Sequence, residues 1–418
     1  MELNRKIPPI FPLKGVIQHY EWGGDQFIPH LIGEPNDAKR PFAELWMGAH
    51  PKAPSSGVIE GNPISLLDLI QASPLDILGK QMADKYNQSL PFLFKILDAR
   101  KMLSIQAHPD KHTAREGFKD ENKRSIHISA QNRNYKDENH KPEVHIALTD
   151  FWMLHGFRTF LEIETFLNSH PQLQPILSFI NEPDFPDNES GKIRAVYKFI
   201  MELPDQRISA MLQPLLQLWT KNYLQGVLKK HQPEYWAARA HLDLSAPDGK
   251  IDRGIFSIFL MNLVHLEPGE GTFQDAGILH AYLEGSNVEL MASSDNVLRG
   301  GLTPKHIDVP ELLKILNFES GPPEILYGDS FDQNETIYNT PCDDFLISKI
   351  VVSHSSSFHC RAIDAPSIFI VVEGKASFEA KDLKVKGRQG HIFFTRPGYS
   401  FTITTDIAAT LFRATVPI

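Results

Sequence analysis

The chain has 418 residues, more than one hydrophobic core usually supports, so two or three domains are expected. Hydrophobic residues make up 42% and charged residues 22%, values that exclude a disordered or fibrous protein. The net charge of −9, spread along the chain, offers no basic face for nucleic acid, so an anionic small substrate would need a local cluster of Lys and Arg.

The N-terminal segment, residues 1–11, carries two basic residues but no apolar run of signal-peptide length. Elsewhere no stretch approaches the eighteen apolar residues that a membrane span requires. The predicted location is therefore the cytoplasm, with no membrane partner.

From residue 8 to about 148 the chain is punctuated by Gly and Pro, and short apolar runs such as 91–97 and 144–148 predict strands between turns. Between about 159 and 232, apolar residues recur at three- and four-residue spacing, as in TFLEIETFLNSHPQLQPILSFI and RISAMLQPLLQLWTKNYLQGVLKK. This spacing predicts two main amphipathic helices, separated by the Pro- and Asp-rich stretch 181–190.

After residue 252 the strand pattern returns in GIFSIFLMNLVHLEPGEGTF, whose bulky run ends in the turn signal Pro268-Gly269. From about 336 onward, FLISKIVV, SIFIVVEGKASFEA and GHIFFTRPGYSFTIT predict a second sandwich or barrel. The two cysteines of the chain, Cys342 and Cys360, lie in this part, and so few in a long chain are typical of a reducing compartment without disulfides.

The predicted fold class is thus mainly β with an α-helical insertion. The predicted domains are a β domain formed by residues 1–155 and 252–335, a helical insertion at 156–251, and a C-terminal β domain at 336–418.

Three segments are candidates for a metal site. In KMLSIQAHPDK, Gln106 and His108 lie two apart and would share one face of a strand, although such a pair is more often simply hydrogen-bonded. In YKDENHKPEVHIAL, Glu143 and His145 also share a face, and either could be a ligand; the alternative is a solvated charged hairpin.

The third segment, DAGILHAYLEGSNVELMASSDNVLRGGLTPKHIDV, is dense in His, Tyr, Glu, Asp, Arg and Lys, which indicates either a site or a loop hydrogen-bonded to itself. Two imidazoles, a carboxylate and an amide oxygen would make a donor set suited to Zn²⁺ and acceptable for Mn²⁺, Co²⁺ or Fe²⁺.

Four segments, in this order along the chain, resemble the signature of the type I mannose-6-phosphate isomerases: LSIQAHPDK, NHKPE, HAYLEG and SDNVLRGGLTPK. The resemblance covers most of the β regions. Three further segments support it: YEWGG at 20–24, AELWMGAHPKAPS at 43–55 and PFLFKIL at 91–97. The helical block and the C-terminal domain offer little that is diagnostic.

The resemblance implies a cupin-like fold with two jelly-roll domains and a helical insertion. It implies one Zn²⁺ held by Gln106, His108, Glu143 and His280, which selects Glu143 over His145. His145 itself departs from the apolar or small residue that the family pattern leads us to expect.

The implied reaction interconverts mannose 6-phosphate and fructose 6-phosphate through a cis-enediol, after ring opening. The implied catalytic residue with the clearest role is Arg299, whose guanidinium would stabilise the enediolate. The proton-transferring base is left open. The first candidates are Lys141 and its neighbour His140, followed by Glu289; Asp295 also lies inside a matching motif.

For the substrate, the matching positions Ser104, Lys95 and Lys305 offer a hydroxyl and two ammonium groups to the phosphate, while Glu44, Tyr282 and Asp295 would line the cleft. Lys95 could instead only extend to the surface. The expected partner is a small sugar phosphate, and the expected assembly is a monomer.

Two alternatives keep the fold but change the function. One is a cupin-type sugar-binding or regulatory protein without turnover, and the other is a different cupin metalloenzyme such as a dioxygenase.

Overall fold

The computed structural model describes residues 7–417 except 60, 245–248, 355 and 382. Part of the N-terminal segment used to predict the location, residues 1–6, therefore lies outside the described residues. Among the residues described, no helix is long and apolar enough to cross a membrane.

Strands dominate both ends of the chain. In chain order they are β1 Ile10–Lys14, β2 Val16–Gln18, β3 Glu44–Met47, β4 Ser56–Ile59, β5 Asn62–Ser65, β6 Phe92–Ala99, β7 Ile105–Ala107, β8 Glu143–Ala147, β9 Phe151–Phe157, β10 Met261–Leu266, β11 Gly271–Gln274, β12 His280–Ala292, β13 Leu298–Gly301, β14 Asp329–Ser330, β15 Glu335–Tyr338, β16 Leu346–Ser353, β17 Phe358–Cys360, β18 Ser367–Ala380, β19 Leu383–Arg388, β20 Ile392–Thr395, β21 Phe401–Thr404 and β22 Ala408–Thr415.

The helices are α1 Phe27–Ile32, α2 Leu66–Ala72, α3 Pro74–Leu78, α4 Lys80–Lys85, α5 Lys111–Lys123, α6 Phe160–Asn168, α7 Gln174–Ile180, α8 Glu189–Glu202, α9 Asp205–Leu224, α10 Pro233–Asp243, α11 Ser257–Leu260 and α12 Val309–Ile315. Single 3₁₀ turns lie at Pro171–Leu173 and Arg253–Ile255.

The helical block from α6 to α10 is placed between two strands that pair directly with each other. β9 precedes the block and β10 follows it, and the two run antiparallel with Phe157 opposite Met261. The block begins with a capping box between Thr159 and Glu162, which satisfies backbone N–H groups at the start of α6. This chain order is that of an insertion, and the exact domain boundaries stay a prediction.

One sheet of antiparallel strands carries the residues of the metal-site motifs. β12 lies at its centre and pairs with β6, β7, β8 and β9. Because of this register, His280 lies opposite Gln106, and Met291 lies opposite Glu143. Three segments that are far apart in sequence therefore meet on one strand.

The second sheet joins both ends of the chain. β1 pairs with β20, with Phe11 opposite Phe394, and β4 and β5 extend the same sheet. Buried apolar side chains from the two ends also share one core, in which the rings of Phe11 and Phe394 lie 5.2 Å apart. The backbone pairing thus continues from the N-terminal residues into the predicted C-terminal domain.

The mainly β fold class with a helical insertion is confirmed, and two parts of the detailed prediction were wrong. The region 8–148, predicted as strands and turns, also contains α1 to α5. The helical block contains α8 and α10 beside the predicted helices, and a 3₁₀ turn at Pro171–Leu173 divides the first predicted helix into α6 and α7.

Candidate metal centre

Three buried side chains from β12 and its neighbouring segments bring donor atoms together. His108 follows β7, Glu143 begins β8 and His280 begins β12, and their donor atoms all lie within 4.8 Å of one another. The Nε2 atom of His108 is 3.5 Å from Glu143 Oε1, and the Nε2 atom of His280 is 3.3 Å from Glu143 Oε2. This spacing suits a shared cation.

The hydrogen bonds of the two imidazoles fix which nitrogen faces the carboxylate. His108 Nδ1 donates to the backbone oxygen of Asn296 at 2.7 Å, and His280 Nδ1 donates to the backbone oxygen of Ile278 at 2.9 Å. In the neutral rings, both Nε2 atoms therefore present lone pairs to Glu143 rather than protons.

Lone pairs that face one another in a buried space are costly unless a cation lies between them. His108 Nε2 and Glu143 Oε2 are buried without a hydrogen-bond partner, which is the feature expected of metal ligands. Burial lowers the pKa of His108 to about 4, so the imidazole is neutral and able to bind at neutral pH. These residues fit a divalent metal ion.

Gln106 lies beside this group. Its Nε2 atom is 3.4 Å from His280 Nε2, and a 180° rotation of the amide would turn the oxygen toward the same point. An amide oxygen would complete a set of two nitrogens and two oxygens.

His145, the alternative to Glu143, does not lie in this group. Its ring is fully buried against Tyr282, and its Nδ1 accepts a hydrogen bond of 2.9 Å from Gln274 Nε2. Burial lowers its pKa to about 4. His145 thus packs as a neutral ring behind the metal ligands.

Two basic side chains lie next to the predicted ligands. Lys141 Nζ is 3.1 Å from Glu143 Oε1; although burial would raise the pKa of Glu143, the nearby ammonium of Lys141 holds it well below its usual value. Arg299 lies on β13 opposite Gln106, its Nε is buried without a hydrogen-bond partner, and burial lowers its pKa.

A second group of predicted residues forms a buried network behind the cleft. Glu289 accepts from Lys95 Nζ at 2.6 Å and from the Tyr282 hydroxyl at 2.7 Å, and Glu44 accepts from the indole of Trp46. Burial raises the pKa of Glu44, and the nearby carboxylates keep Lys95 charged by raising its pKa. Lys95 therefore lies in a buried ion pair and does not extend to the surface.

His140 and Asp295 point to other partners. His140 Nε2 donates to Asp344 Oδ2 at 2.6 Å, and Asp344 comes from the C-terminal region just before β16. Asp295 accepts from Lys52 Nζ at 2.7 Å and lies 3.7 Å from His50 Nε2, at a partly exposed edge of the cleft.

A cluster of cations lies around Arg299. The pKa of Lys136 is lowered by burial and by the nearby charges of Lys52, Arg299 and Lys305, and the pKa of Lys305 is lowered by burial and by Arg299. Ser104 is half-buried just before β7, which pairs with the strand of Arg299. The sequence interpretation missed Lys136, although its position five residues before Lys141 in the second motif was an available signal.

Comparisons with known proteins agree with this geometry. A family model described as phosphomannose isomerase type I, catalytic domain, matches residues 10–160. The mannose-6-phosphate isomerase of Escherichia coli (strain K12) is 38% identical over 365 residues, which cover 86% of this chain and 88% of the relative. That of Bos taurus is 34% identical over 431 residues, which cover 97% and 98%.

Among solved structures, the mannose 6-phosphate isomerase from Salmonella typhimurium bound to substrate (fructose 6-phosphate) and a zinc atom is similar to this chain. It has a TM-score of 0.85 at 31% identity, and the match covers 98% of this chain and 100% of that one. A zinc-bound mannose 6-phosphate isomerase structure matches with a TM-score of 0.85 at 32% identity. The resemblance seen in the sequence motifs is confirmed.

Proposed function

The chain belongs to the type I phosphomannose isomerases, a cupin-type fold, and we propose that it interconverts mannose 6-phosphate and fructose 6-phosphate at the site around Glu143. The observation that carries the proposal is the buried group of His108, Glu143 and His280, whose lone pairs converge without a bound proton. A metal ion held by these donors, with Lys141 beside it, supplies the groups that a proton transfer between C2 and C1 requires.

We assign the metal to Gln106, His108, Glu143 and His280, and zinc is the ion bound in the solved structures of similar enzymes. When bound, zinc would hold the substrate and withdraw electron density from one of its oxygens. Side chains of the protein would carry out the proton transfer, stabilise the enediolate and bind the phosphate.

The reaction needs a base that moves a proton between C2 and C1 of the open-chain sugar. Lys141 is the best placed candidate, since its Nζ lies 3.1 Å from Glu143 Oε1 and the side chain is 10% exposed. It therefore lies at the boundary between the buried ligands and the cleft, where a substrate carbon would approach. As the ammonium that pairs with Glu143, it would first have to release a proton before it could take one from C2.

The other candidates are less well placed for this step. Both carboxylate oxygens of Glu289 accept hydrogen bonds, and its side chain is 3% exposed, so it would support the network behind the substrate. His140 directs one ring nitrogen to Asp344. Asp295 is paired with Lys52, so it would orient cations or hydroxyls at the edge of the cleft.

Arg299 would stabilise the enediolate. A guanidinium stays charged in proteins, and a charge aimed at the site where negative charge develops lowers the barrier most when it is shielded from water. The buried and unpartnered Nε of Arg299 has this character.

The substrate phosphate would bind the cations next to Arg299. Besides burial, the charge of Arg299 lowers the pKa values of both Lys136 and Lys305, and Lys305 adds to the effect on Lys136; a phosphate dianion would relieve this repulsion. Ser104 would add a hydroxyl at the start of β7, and the ion pair of Lys95 with Glu289 directs that lysine elsewhere.

The decisive experiment is a coupled assay with purified protein on mannose 6-phosphate. We expect turnover with zinc, loss of turnover after chelation, and recovery when zinc is added back. A protein that binds the sugar phosphate when zinc-loaded but never turns it over would support the binding alternative, and oxygen consumption with bound iron would support the dioxygenase.

We also propose that the enzyme works as a cytoplasmic monomer. The cytoplasmic location agrees with the two cysteines, which are buried and free, as is usual for a reducing compartment. Light scattering of the purified protein and fractionation of cells that make it would test the two parts separately.

A further inference from the structure

The C-terminal region contributes one charged side chain to the loop that precedes β8. Asp344 Oδ2 accepts a hydrogen bond of 2.6 Å from His140 Nε2, although the two residues are 204 positions apart in the sequence. The side chain of Asp344 is 8% exposed and that of His140 is 26% exposed, so the pair is shielded from most solvent.

The backbone around Asp344 is fixed on both sides. The Tyr86 hydroxyl donates to the backbone oxygen of Asp343 at 2.5 Å, and the N–H of Asp344 donates to Cys342 Sγ at 3.4 Å. Phe345, the next residue, is buried in the core shared by both ends of the chain. The carboxylate is therefore held in place by the C-terminal domain.

An ionised carboxylate only accepts hydrogen bonds, so the short contact places a proton on Nε2 of His140. The partner histidine keeps the pKa of Asp344 lowered although burial would raise it, which maintains this charge. In the neutral ring, Nδ1 then carries the lone pair, and one tautomer and one ring orientation are selected.

The same loop carries Lys141 and Glu143. Two hydrogen bonds tie this loop to the end of β12. Asn139 Nδ2 donates to the backbone oxygen of Ser293 at 3.1 Å, and the N–H of Ala292 donates to the backbone oxygen of Pro142 at 3.1 Å. His140 lies between these anchors and turns toward the C-terminal domain. The hydrogen bond of its ring to Asp344 is therefore a third anchor of the loop that presents Lys141 to Glu143.

We propose that Asp344 is a positioning residue for the isomerase reaction, which holds His140 and with it Lys141 in the catalytic arrangement. The inference rests on the proposed function and gives the C-terminal domain a part in the reaction. Asp344 itself does not touch the metal ligands or the proposed phosphate cations.

The test compares zinc-loaded Asp344→Ala, Asp344→Asn and Asp343→Ala on mannose 6-phosphate. Asp344→Ala should lower kcat on the order of tenfold or more, with KM and zinc content nearly unchanged, because a lost orienting partner misplaces groups without removing the binding site. Asp344→Asn keeps an oxygen acceptor of the same shape and should recover part of the rate. Asp343→Ala removes a side chain that is 87% exposed and should match the parent.

A double-variant cycle separates positioning from simple support of the fold. If Asp344 acts through His140, His140→Ala and His140→Ala/Asp344→Ala should have the same kcat, whereas a purely structural role would give independent losses that follow the melting temperature. Parental kcat in Asp344→Ala would overturn this inference while the isomerase function stands. A parent that turns over no mannose 6-phosphate would instead overturn the proposed function on which it rests.

Discussion

The ability of the centre to bind a metal depends on which ring nitrogen of His108 and of His280 carries the proton. His108 and His280 use Nδ1 for backbone carbonyls, so their Nε2 lone pairs and the Glu143 carboxylate face the same point. The backbone acceptors on Asn296 and Ile278 are therefore as much a part of the site as the ligands themselves.

His280→Ala should abolish zinc binding and turnover together, because it leaves one imidazole where the geometry supplies two. The melting temperature should also fall, since zinc bound to the folded state stabilises it. Elemental analysis, the coupled assay and thermal unfolding would measure these effects. His265→Ala, which removes a partly exposed histidine from β10, should retain all three properties, and a zinc-replete His280→Ala would contradict the assignment.

Arg299→Ala should keep its zinc but lose turnover by a factor on the order of 10² to 10³, the usual cost of removing a group that stabilises developing charge. Arg299→Lys should not restore the rate fully, because an ammonium lacks the planar fork of the guanidinium. Steady-state kinetics with elemental analysis would test both variants, with Arg124→Ala, an exposed position just after α5, as a control. Parental turnover in Arg299→Ala would remove its proposed role.

The metal-free protein should lose stability as the pH falls from about 6.5 to 4. Burial lowers the pKa values of His108, His145 and His155 to about 4, so in this window the unfolded chain binds protons that the folded chain does not. Each histidine would contribute up to about 1.4 kcal/mol per pH unit. Urea unfolding with chelator at several pH values should show this slope, and His145→Phe should reduce it. An unchanged slope in that variant would show that His145 is not buried as a neutral ring.

Much of the site could be predicted from the sequence, because its ligands lie in three ordered motifs. Spacing alone made Glu143 and His145 equally good candidates for the metal ligand, since residues two apart project from the same face of β8. The family resemblance selects Glu143, and the packing of His145 against Tyr282 and Gln274 gives the physical reason. Asp344 could not be predicted at all, because its contact with His140 depends on how the second sheet folds against the first.

At the level of elements, the strands and the helices of the insertion were predictable where apolar residues recur regularly. α5 was missed because it is a surface helix with few buried positions, at Ala114, Gly117 and Glu121. Its N-cap is present, since the side chain of Asp110 accepts from the N–H of Thr113, but a cap without an apolar face is a weak signal.

Strands β6 and β12 are joined by a buried ion pair, in which Lys95 lies directly opposite Glu289. Lys95→Met should destabilise the protein by about 3–5 kcal/mol, because it leaves the Glu289 carboxylate buried and uncompensated. The double variant with Glu289→Gln should recover part of this loss. Urea unfolding in excess zinc would give the free energies.

A matched control for this pair is Lys384→Ala, which breaks an exposed pair with Glu379 between β18 and β19 and should leave stability unchanged. If Lys95→Met and Lys384→Ala had the same effect, the pair of Lys95 with Glu289 would not be buried as described.

At the scale of the whole molecule, the two ends of the chain form one structure. The sequence indicated two β domains, but it could not show that β1 pairs with β20, because this pairing joins residues almost 400 positions apart and leaves no local pattern. Because buried side chains from both ends of the chain share one core, we expect the C-terminal β region to unfold together with the strands around the metal centre.

Phe394→Ala should therefore destabilise both β domains together. Phe394 is fully buried against Phe11 from the opposite end of the chain, and loss of such a ring typically costs about 3–5 kcal/mol. Circular dichroism and zinc release during heating should shift to lower temperature by the same amount, because a shared core unfolds as one unit. Phe331→Ala, which removes a ring that is 67% exposed, should change neither transition. A zinc-release temperature that stayed at the parental value while the dichroism transition fell would show that the metal-binding domain folds independently of the C-terminal sheet.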